Sequence, residues 1–456
     1  MKSTLRLLII IVVLLHLPRL LSAQAVYSKS FLDSLQRDTF LYFWELGDNP
    51  HGLIPDRHPT PSFSSIAATG FGLTAYLVGV ERGYIRRDEA AERTRRTLRF
   101  FANAPQSAEA AGVAGYRGFF YHFLDMKTGH RFKQVELSTI DTALLLAGVL
   151  SCQTYFSGKS ETEREIRTLA DRIYRRVDWR FMQAVRRSDR KPLVSMGWHP
   201  EKGFIEADWQ GYNEAMILYI LALGSPTFPL EPEAWTEWTR TYDWKTFYEQ
   251  EHINFDPLFG HQYSHIWVDF RDIRDAYNRQ KGITYFENSR RATYANRTYC
   301  IANPMQWRGY GPDIWGLTAC DGPKDTTING RSFFSYRARG AAATQIVDDG
   351  TIAPTAAGGS VPFAPEICIP ALQHMKRSFG TRIYGKYGFK DAFNLSYPTR
   401  DGQGWFDGDY LGIDSGPILL MTENYRTGFI WNLMMQNPHI RRGLNRAGFR
   451  GGWLGR

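Results

Sequence analysis

Two kinds of helical segment alternate along the first half of this chain, and the alternation limits what it can fold into. One kind is apolar nearly all round and rich in small residues: SSIAATGFGLTAYLVGV (64–80), ELSTIDTALLLAGVLSCQTYF (136–156) and NEAMILYILAL (213–223). A helix that is apolar on every face has to be buried between other elements. The other kind is amphipathic and charged. In ETEREIRTLADRIYRRV (161–177), Ile166, Leu169, Ala170, Ile173, Tyr174 and Val177 recur at steps of three and four, which places them on one face of a surface helix. The stretch 86–104 reads the same way, and 233–250 is a weaker, Trp-rich version. Further buried-type candidates are FENSRRATYANRTYCIAN (286–303), APEICIPALQHMKR (364–377) and GIDSGPILLMTENYRTGFIWNLM (412–434).

Buried and charged helices in turn predict an all-α body with inner helices wrapped by outer ones. Strand signals are sparse: HRFKQVEL and short runs near Thr351 and Tyr410 read as minor β hairpins within loops. A TIM barrel needs a β-branched run before each charged helix, and none is present. No Pro/Gly/Ser-rich linker divides the chain, so residues 30–445 read as one domain. The basic, Gly-rich end, 446–456, reads as a flexible tail.

Residues 1–25 carry a Lys/Arg-bearing start, an apolar run at Leu7–Leu15 and a small-x-small end at Ala23–Ala25. This pattern predicts a cleaved secretory signal peptide and a secreted or periplasmic bacterial protein, with no stable membrane insertion after cleavage. His16, Pro18 and Arg19 interrupt the run and leave it short for a spanning helix. The four cysteines, Cys152, Cys300, Cys320 and Cys368, form no CxxC pair, which excludes a zinc ribbon and thioredoxin-like chemistry. One or two disulfides are compatible with export. The net charge of +9 is spread over helix-like segments and forms no basic arm, so nucleic acid is not an expected partner. Oligomeric state is not encoded in any pattern here.

The chemistry is expected in the loops that precede the buried segments. GWHPEKGFIEADWQGYNE (197–214), DPLFGHQYSHIWVDFR (256–271), NPMQWRGYGPDIWGLTACDGP (303–323) and GQGWFDGDYLGIDSGP (402–417) each mix Trp, Tyr, Gly and acids. Such loops suit a saccharide groove, with rings for sugar faces and polar groups for hydroxyls; they equally suit aromatic packing anchors. Glycoside hydrolysis needs two carboxyl groups, one protonated and one ionised. Candidates at loop–helix junctions are Glu136, Asp141, Glu206, Asp208, Glu214, Asp321 and Glu366. Glu136 and Asp141 stand about 140° apart on a helix, so both face one site only if Glu136 precedes the helix. His261, His265 and Asp269 have the spacing of a metal stripe, but HExxH is absent and no metal site is expected. GxSxG, GxGxxG and P-loop patterns are also absent.

The motifs GFIEADWQGYNEAMILYILALGSP, FGHQYSHIWVDFR, GYGPDIWGLTACDGP, APTAAGGSVPFAPE and TENYRTGFIWNLM together resemble the bacterial glycoamylase-like family, which includes secreted endo-β-1,2-glucanases. The similarity is strongest from about residue 198 to 435. The resemblance implies an (α/α)6 toroid, an inverting mechanism on a β-linked glucan, most of all β-1,2-glucan, and no cofactor. It implies Glu214 as the acid, with Asp141 and then Glu136 as the partner carboxylate and Glu206 and Glu366 in reserve. His199, Trp209, His261, Tyr263, Trp307, Arg308, Trp315 and Trp405 are the expected substrate-binding residues. Two alternatives stay open: another carbohydrate-active reaction (exo-acting, transglycosylating or lyase), and a non-catalytic periplasmic glycan-binding protein.

Overall fold

The buried segments become helices, and those that start near Ile66, Thr139 and Gly412 begin beside one another. The structure is a computed structural model and describes residues 28–183 and 191–455; the expected signal peptide lies outside the described residues. Helix α1 covers residues 28–46, α2 Ile66–Glu81, α3 Arg87–Asn103, α4 Thr139–Tyr155, α5 Glu161–Arg175 and α6 Met216–Gly224. Next come α7 (Glu233–Thr239), α8 (Tyr263–Trp267), α9 (Ala276–Lys281) and α10 (Tyr285–Ala302). The remainder is α11 (Pro354–Gly358), α12 (Pro365–Phe379), α13 (Gly412–Thr427), α14 (Phe429–Met434) and α15 (Pro438–Arg446).

Helix packs on helix almost throughout. α2 is buried from Ile66 to Gly79 and packs between α4 and α13; α4 in turn meets α6. The charged helices α3 and α5 pack on each other and lie over α2 and α4, while α15 covers α6. α5 buries Ile166, Leu169, Ala170, Ile173 and Tyr174, the stripe its sequence periodicity marks. The α2–α4 crossing is close because both helices place glycine there. A Cβ at Gly70 would stand 2.4 Å from the Leu144 carbonyl oxygen, and one at Gly148 would stand 2.1 Å from that of Gly70.

Short strands feed the buried helices. Ser64–Ser65 leads into α2, Leu137–Ser138 into α4 and Tyr410–Leu411 into α13. The serine that ends each of the first two strands caps its helix: Ser65 accepts from the Ala68 N–H and Ser138 from the Asp141 N–H. Leu137–Ser138 also sits in a five-stranded antiparallel sheet with Gly115–Tyr116, Phe119–Tyr121, Gly197–His199 and Gly203–Phe204.

Four features depart from the sequence expectations. β structure is more extensive than a few hairpins, because nearly every loop pairs with another. The Trp-rich stretch 233–250 is helical only to Thr239; Trp244–Phe247 and Gln250–Ile253 form a hairpin, as the aromatic and β-branched content of WKTF favours. The long segment 412–434 breaks at Gly428, whose φ of +68° ends α13 in the left-handed region. The end of the chain is docked rather than frayed. Arg450 and Arg274 exchange backbone hydrogen bonds, and the Trp453 indole donates to the Asp269 carbonyl at 2.9 Å. All four cysteines are free, buried thiols. Among the described residues, no helix is long and apolar enough to cross a membrane.

Candidate active site

The first turns of α4 and α13 and the approach to α6 converge on a cavity of about 150 Å³, lined by His122, Ile140, Asp141, Leu144, Glu214, Phe259, Tyr263, Ala319, Tyr336 and Ile413. A second chamber of about 320 Å³ shares His122, Tyr336 and Ile413 with it and adds Asp56, Arg57, Phe63, Ser65, Phe123 and Leu411. Tyr336, on the loop between Phe333 and Arg337, borders both. Helix N-termini carry unpaired N–H groups and partial positive charge, so a groove at this end favours carboxylates.

Glu214 stands just before α6, outside the first turn where its sequence places it. The N-cap, Ala215, has no capping side chain. Ser264 of α8 supplies one from outside: its hydroxyl accepts from the Ile217 N–H at 2.9 Å and donates to the Glu214 carbonyl at 3.0 Å. Asn213 accepts from the Ala215 N–H at 3.0 Å. These bonds fix the backbone of Glu214 while its Oε2 is buried without a hydrogen-bond partner. Burial pushes the Glu214 carboxyl up to about 7; the charge of Asp141 adds to the rise, and the Glu214 backbone N–H opposes it. Glu214 is therefore an acid that still carries its proton about half of the time at pH 7 and more below it.

Asp141 lies on the first turn of α4. Its Oδ2 accepts from the Ser138 hydroxyl at 2.5 Å, and its Oδ1 faces His122 Nε2 at 3.5 Å. The other ring nitrogen of His122 lies 2.8 Å from Glu136 Oε1. Backbone pairing creates this row: the His122 N–H donates to the Glu136 carbonyl at 3.0 Å, next to the Tyr121–Leu137 pair. Glu136 does precede the helix, so the 140° separation does not apply. Burial pulls the His122 imidazole down, but Asp141 and Glu136 outweigh it and hold it at about 9. Burial pushes Asp141 up, with His122 and the Ser138 hydroxyl opposing. Glu136 is held low: burial raises it, and its bond to His122 more than compensates.

Asp56, which lines the second chamber with Arg57, belongs to a larger group of acids. Arg57 meets Asp321 at 2.5 Å, Asp56 at 3.2 Å and Asp409 at 4.0 Å, and the Asp321 N–H donates to Asp391 at 2.7 Å. Burial, then the charges of Asp414, Asp321 and Asp407, push Asp391 well up. Burial also raises Asp407 and Asp414 to about 7 each. Carboxylate oxygens of Asp321, Asp391 and Asp407 lie within 4.8 Å of one another, the one such group among the described residues with the spacing of a cation site. Shared protons and Arg57 offset their repulsion. The His261/His265/Asp269 stripe does not converge: His261 meets the Phe255 carbonyl, His265 the Ser289 hydroxyl and Asp269 the Arg271 guanidinium.

Of the expected binding residues, Tyr263 lines the first cavity. Its hydroxyl is pushed well up, by burial first and then by the charges of Asp414, Glu214 and Asp141, so it stays a neutral donor. Trp209 is buried and donates from its indole to Thr139 at 2.9 Å, bracing the start of α4. His199 sits on the sheet beside Arg131, at 3.5 Å. His261 and Trp315 are fully enclosed, and Trp307 is buried beside Phe333. Trp405 packs on the small cluster of Cys320, Ala353 and Ala392. Arg308 is exposed and holds the Gly402 carbonyl at 2.8 Å. Glu366 pairs with Arg290 at 2.7 Å and accepts from Tyr294, and Glu206 is exposed; apart from Tyr263, none of the residues named here lines either chamber. The chambers add residues that the sequence reading missed, above all His122, Tyr336, Asp56 and Arg57. Asp414 left a signal: Ile413-Asp414-Ser415 repeats Ile140-Asp141-Thr142, and both open buried helices.

Residues 206–438 match the glycoamylase family, described as "Putative glucoamylase". The chain belongs to the glycoamylase family. A solved "putative glucoamylase" from Bacteroides uniformis is 32% identical, with a TM-score of 0.80 over 94% of this chain and 98% of that one. An endo-β-1,2-glucanase from Chitinophaga pinensis, solved with sophorotriose and glucose, is 30% identical, with a TM-score of 0.80 over 94% and 99%. A curated relative, an exo β-1,2-glucooligosaccharide sophorohydrolase (non-reducing end) from Parabacteroides distasonis, is 30% identical over 450 residues. That match takes in 92% of this glycoamylase-family chain and 58% of the relative's length. The family includes β-1,2-glucan-acting glycosidases, and the likeness covers nearly the whole helical body.

Proposed function

We propose that this protein is a glycoside hydrolase that cleaves β-1,2-linked glucan with inversion, without a cofactor, in a bacterial extracytoplasmic compartment. The observation that carries the reading is Glu214: a carboxyl that burial raises to about 7, so that about half of it carries a proton at pH 7, facing a cavity that also holds Asp141. Glycosidases need two acids whose environments push their pKa values apart. Glu214 protonates the glycosidic oxygen as the bond breaks. Asp141, backed by the His122 and Glu136 row, accepts a proton from the attacking water, directly or through a substrate hydroxyl. Tyr263 and Tyr336 hold sugar hydroxyls and faces, and the acids around Arg57 bind hydroxyls in the second chamber. In this reading the buried helices α2, α4, α6 and α13 belong to the inner ring of an (α/α)6 toroid, and α3 and α5 to its outer ring. The names of the relatives support β-1,2-glucan as the substrate.

Product analysis on β-1,2-, β-1,3-, β-1,4- and α-linked glucans tests the proposal. Shortening of β-1,2-glucan, with the α-anomer appearing first by NMR, is the expected result. A folded protein that leaves β-1,2-glucan intact, or releases the β-anomer first, would sink it. Activity is expected to fall as pH rises past about 7, where Glu214 loses its proton.

A further inference from the structure

We propose that His122 is held as an imidazolium between Glu136 and Asp141 and positions Asp141 as the ionised, water-activating acid. The inference rests on the role given to Asp141 above and names the residue through which that role is exercised. Two contacts carry it. Glu136 Oε1 lies 2.8 Å from Nδ1 and Asp141 Oδ1 lies 3.5 Å from Nε2, so each ring nitrogen has a carboxylate partner. A neutral imidazole has one N–H and one lone pair, and the lone pair would then face a carboxylate. With both acids ionised, only the doubly protonated ring offers each of them a donor. The ring is fixed in plane as well: it stacks on Phe123 with centroids 3.9 Å apart.

The surroundings decide the sign. Asp56, across the second chamber, adds a third negative charge that favours the imidazolium. Arg57 beside it is engaged by Asp56 and Asp321. Tyr336 borders both chambers with His122 and stays neutral: the residue is 54% exposed overall, but loss of solvent around its hydroxyl and then the charges of Asp414, Asp391 and Asp56 push that group up. Glu214 on the far wall still carries its proton about half of the time at pH 7. His199, behind Glu136, lowers the Glu136 carboxyl and helps keep it anionic. The Asp141 side chain is 6% exposed and would resist ionising without a cation nearby. His122, which lines both chambers, supplies that cation, and Glu136 holds the ring toward Asp141. His122 touches no scissile bond in this scheme; it is a positioning residue.

Two readouts test the clamp. In the full chain labelled with 15N-histidine, the His122 signals are assigned by their loss in His122→Gln. The ring should remain doubly protonated at pH 7 and titrate near 9. Glu136→Gln and Asp141→Asn should each lower that midpoint by about one unit or more. A neutral tautomer at pH 7 would overturn the proposal, whatever the protein hydrolyses. In pH profiles of kcat/KM on β-1,2-glucan, His122→Gln should move the acidic limb upward by roughly 1–2 units, because Asp141 becomes harder to ionise. Glu136→Gln, which keeps the ring in place, should move it the same way by less, and serves if the His122 variant does not fold. A uniform loss of rate with an unmoved limb would show that the ring only packs. An imidazolium in a chain inactive on every glucan would instead sink the proposed reaction and support the ion-paired row by itself.

Discussion

Two groups of acids flank the same groove, and they treat charge in opposite ways. At the first, each acid has its own environment. Glu214 is buried with an unpartnered oxygen, whereas Asp141 and Glu136 share an imidazole between them. At the second, Asp56, Asp321 and Asp409 meet Arg57 with Asp391, Asp407 and Asp414 nearby, and burial first, then their mutual repulsion, raises Asp391, Asp407 and Asp414. The first arrangement separates a protonated acid from an ionised one, which is what bond cleavage requires. The second keeps protons on acids that hydrogen-bond well and release poorly, a set suited to gripping hydroxyl groups. Charge alone does not tell the two groups apart; the distribution of cations and burial does.

The largest break in that contrast should come from Glu214→Gln. The variant keeps the shape and removes the proton donor, and turnover on β-1,2-glucan should fall about 10³-fold, within the range for general acids; near-normal turnover in a folded variant would rule out the assignment. Asp141→Asn should cost roughly 10²-fold, as read by initial rates, and should also leave Glu214 easier to ionise, so the alkaline limb moves down. The smallest effect belongs to the second group. The Asp407 carboxyl is raised to about 7 from an unfolded value near 4, so the folded state binds the proton more tightly and stability falls as pH rises from about 4 to 7. Asp407→Asn removes that penalty. Its melting temperature should exceed the parent's by a few degrees at pH 8 and match it at pH 4; an equal shift at both values would mean that charge is not the cause.

Much of the helical framework was legible because burial on every face leaves its mark in composition. α2, α4 and α6 start within a few residues of their apolar runs, and α3 and α5 carry their stripes. The meeting of Glu214 and Asp141 in one cavity could be anticipated from their place before and within such runs. His122 could not. It follows a strand of three large aromatics, Phe119–Tyr121, and nothing local says that the pairing partner ends at Glu136. The aromatic loops misled for a related reason. Trp307 and Trp315 look like sugar platforms in a line of sequence, but indoles bury large apolar areas and here serve the core. The break at Gly428 and the hairpin at Trp244–Ile253 were hidden by apolar residues that suit helix and strand alike.

The crossing at Gly70 and Gly148 works as a pivot without play. With backbone against backbone, no side chain there can flex to absorb a displacement. Gly70 lies roughly 8 Å along its helix from the Ser65 cap, and Gly148 roughly 10 Å from Asp141, at about 1.5 Å per residue. Both walls of the groove are thus gauged from one contact. A methyl group added at either glycine would swing the wall of one chamber against the other, and its effect would be read in the fit of the sugar as much as in the melting curve.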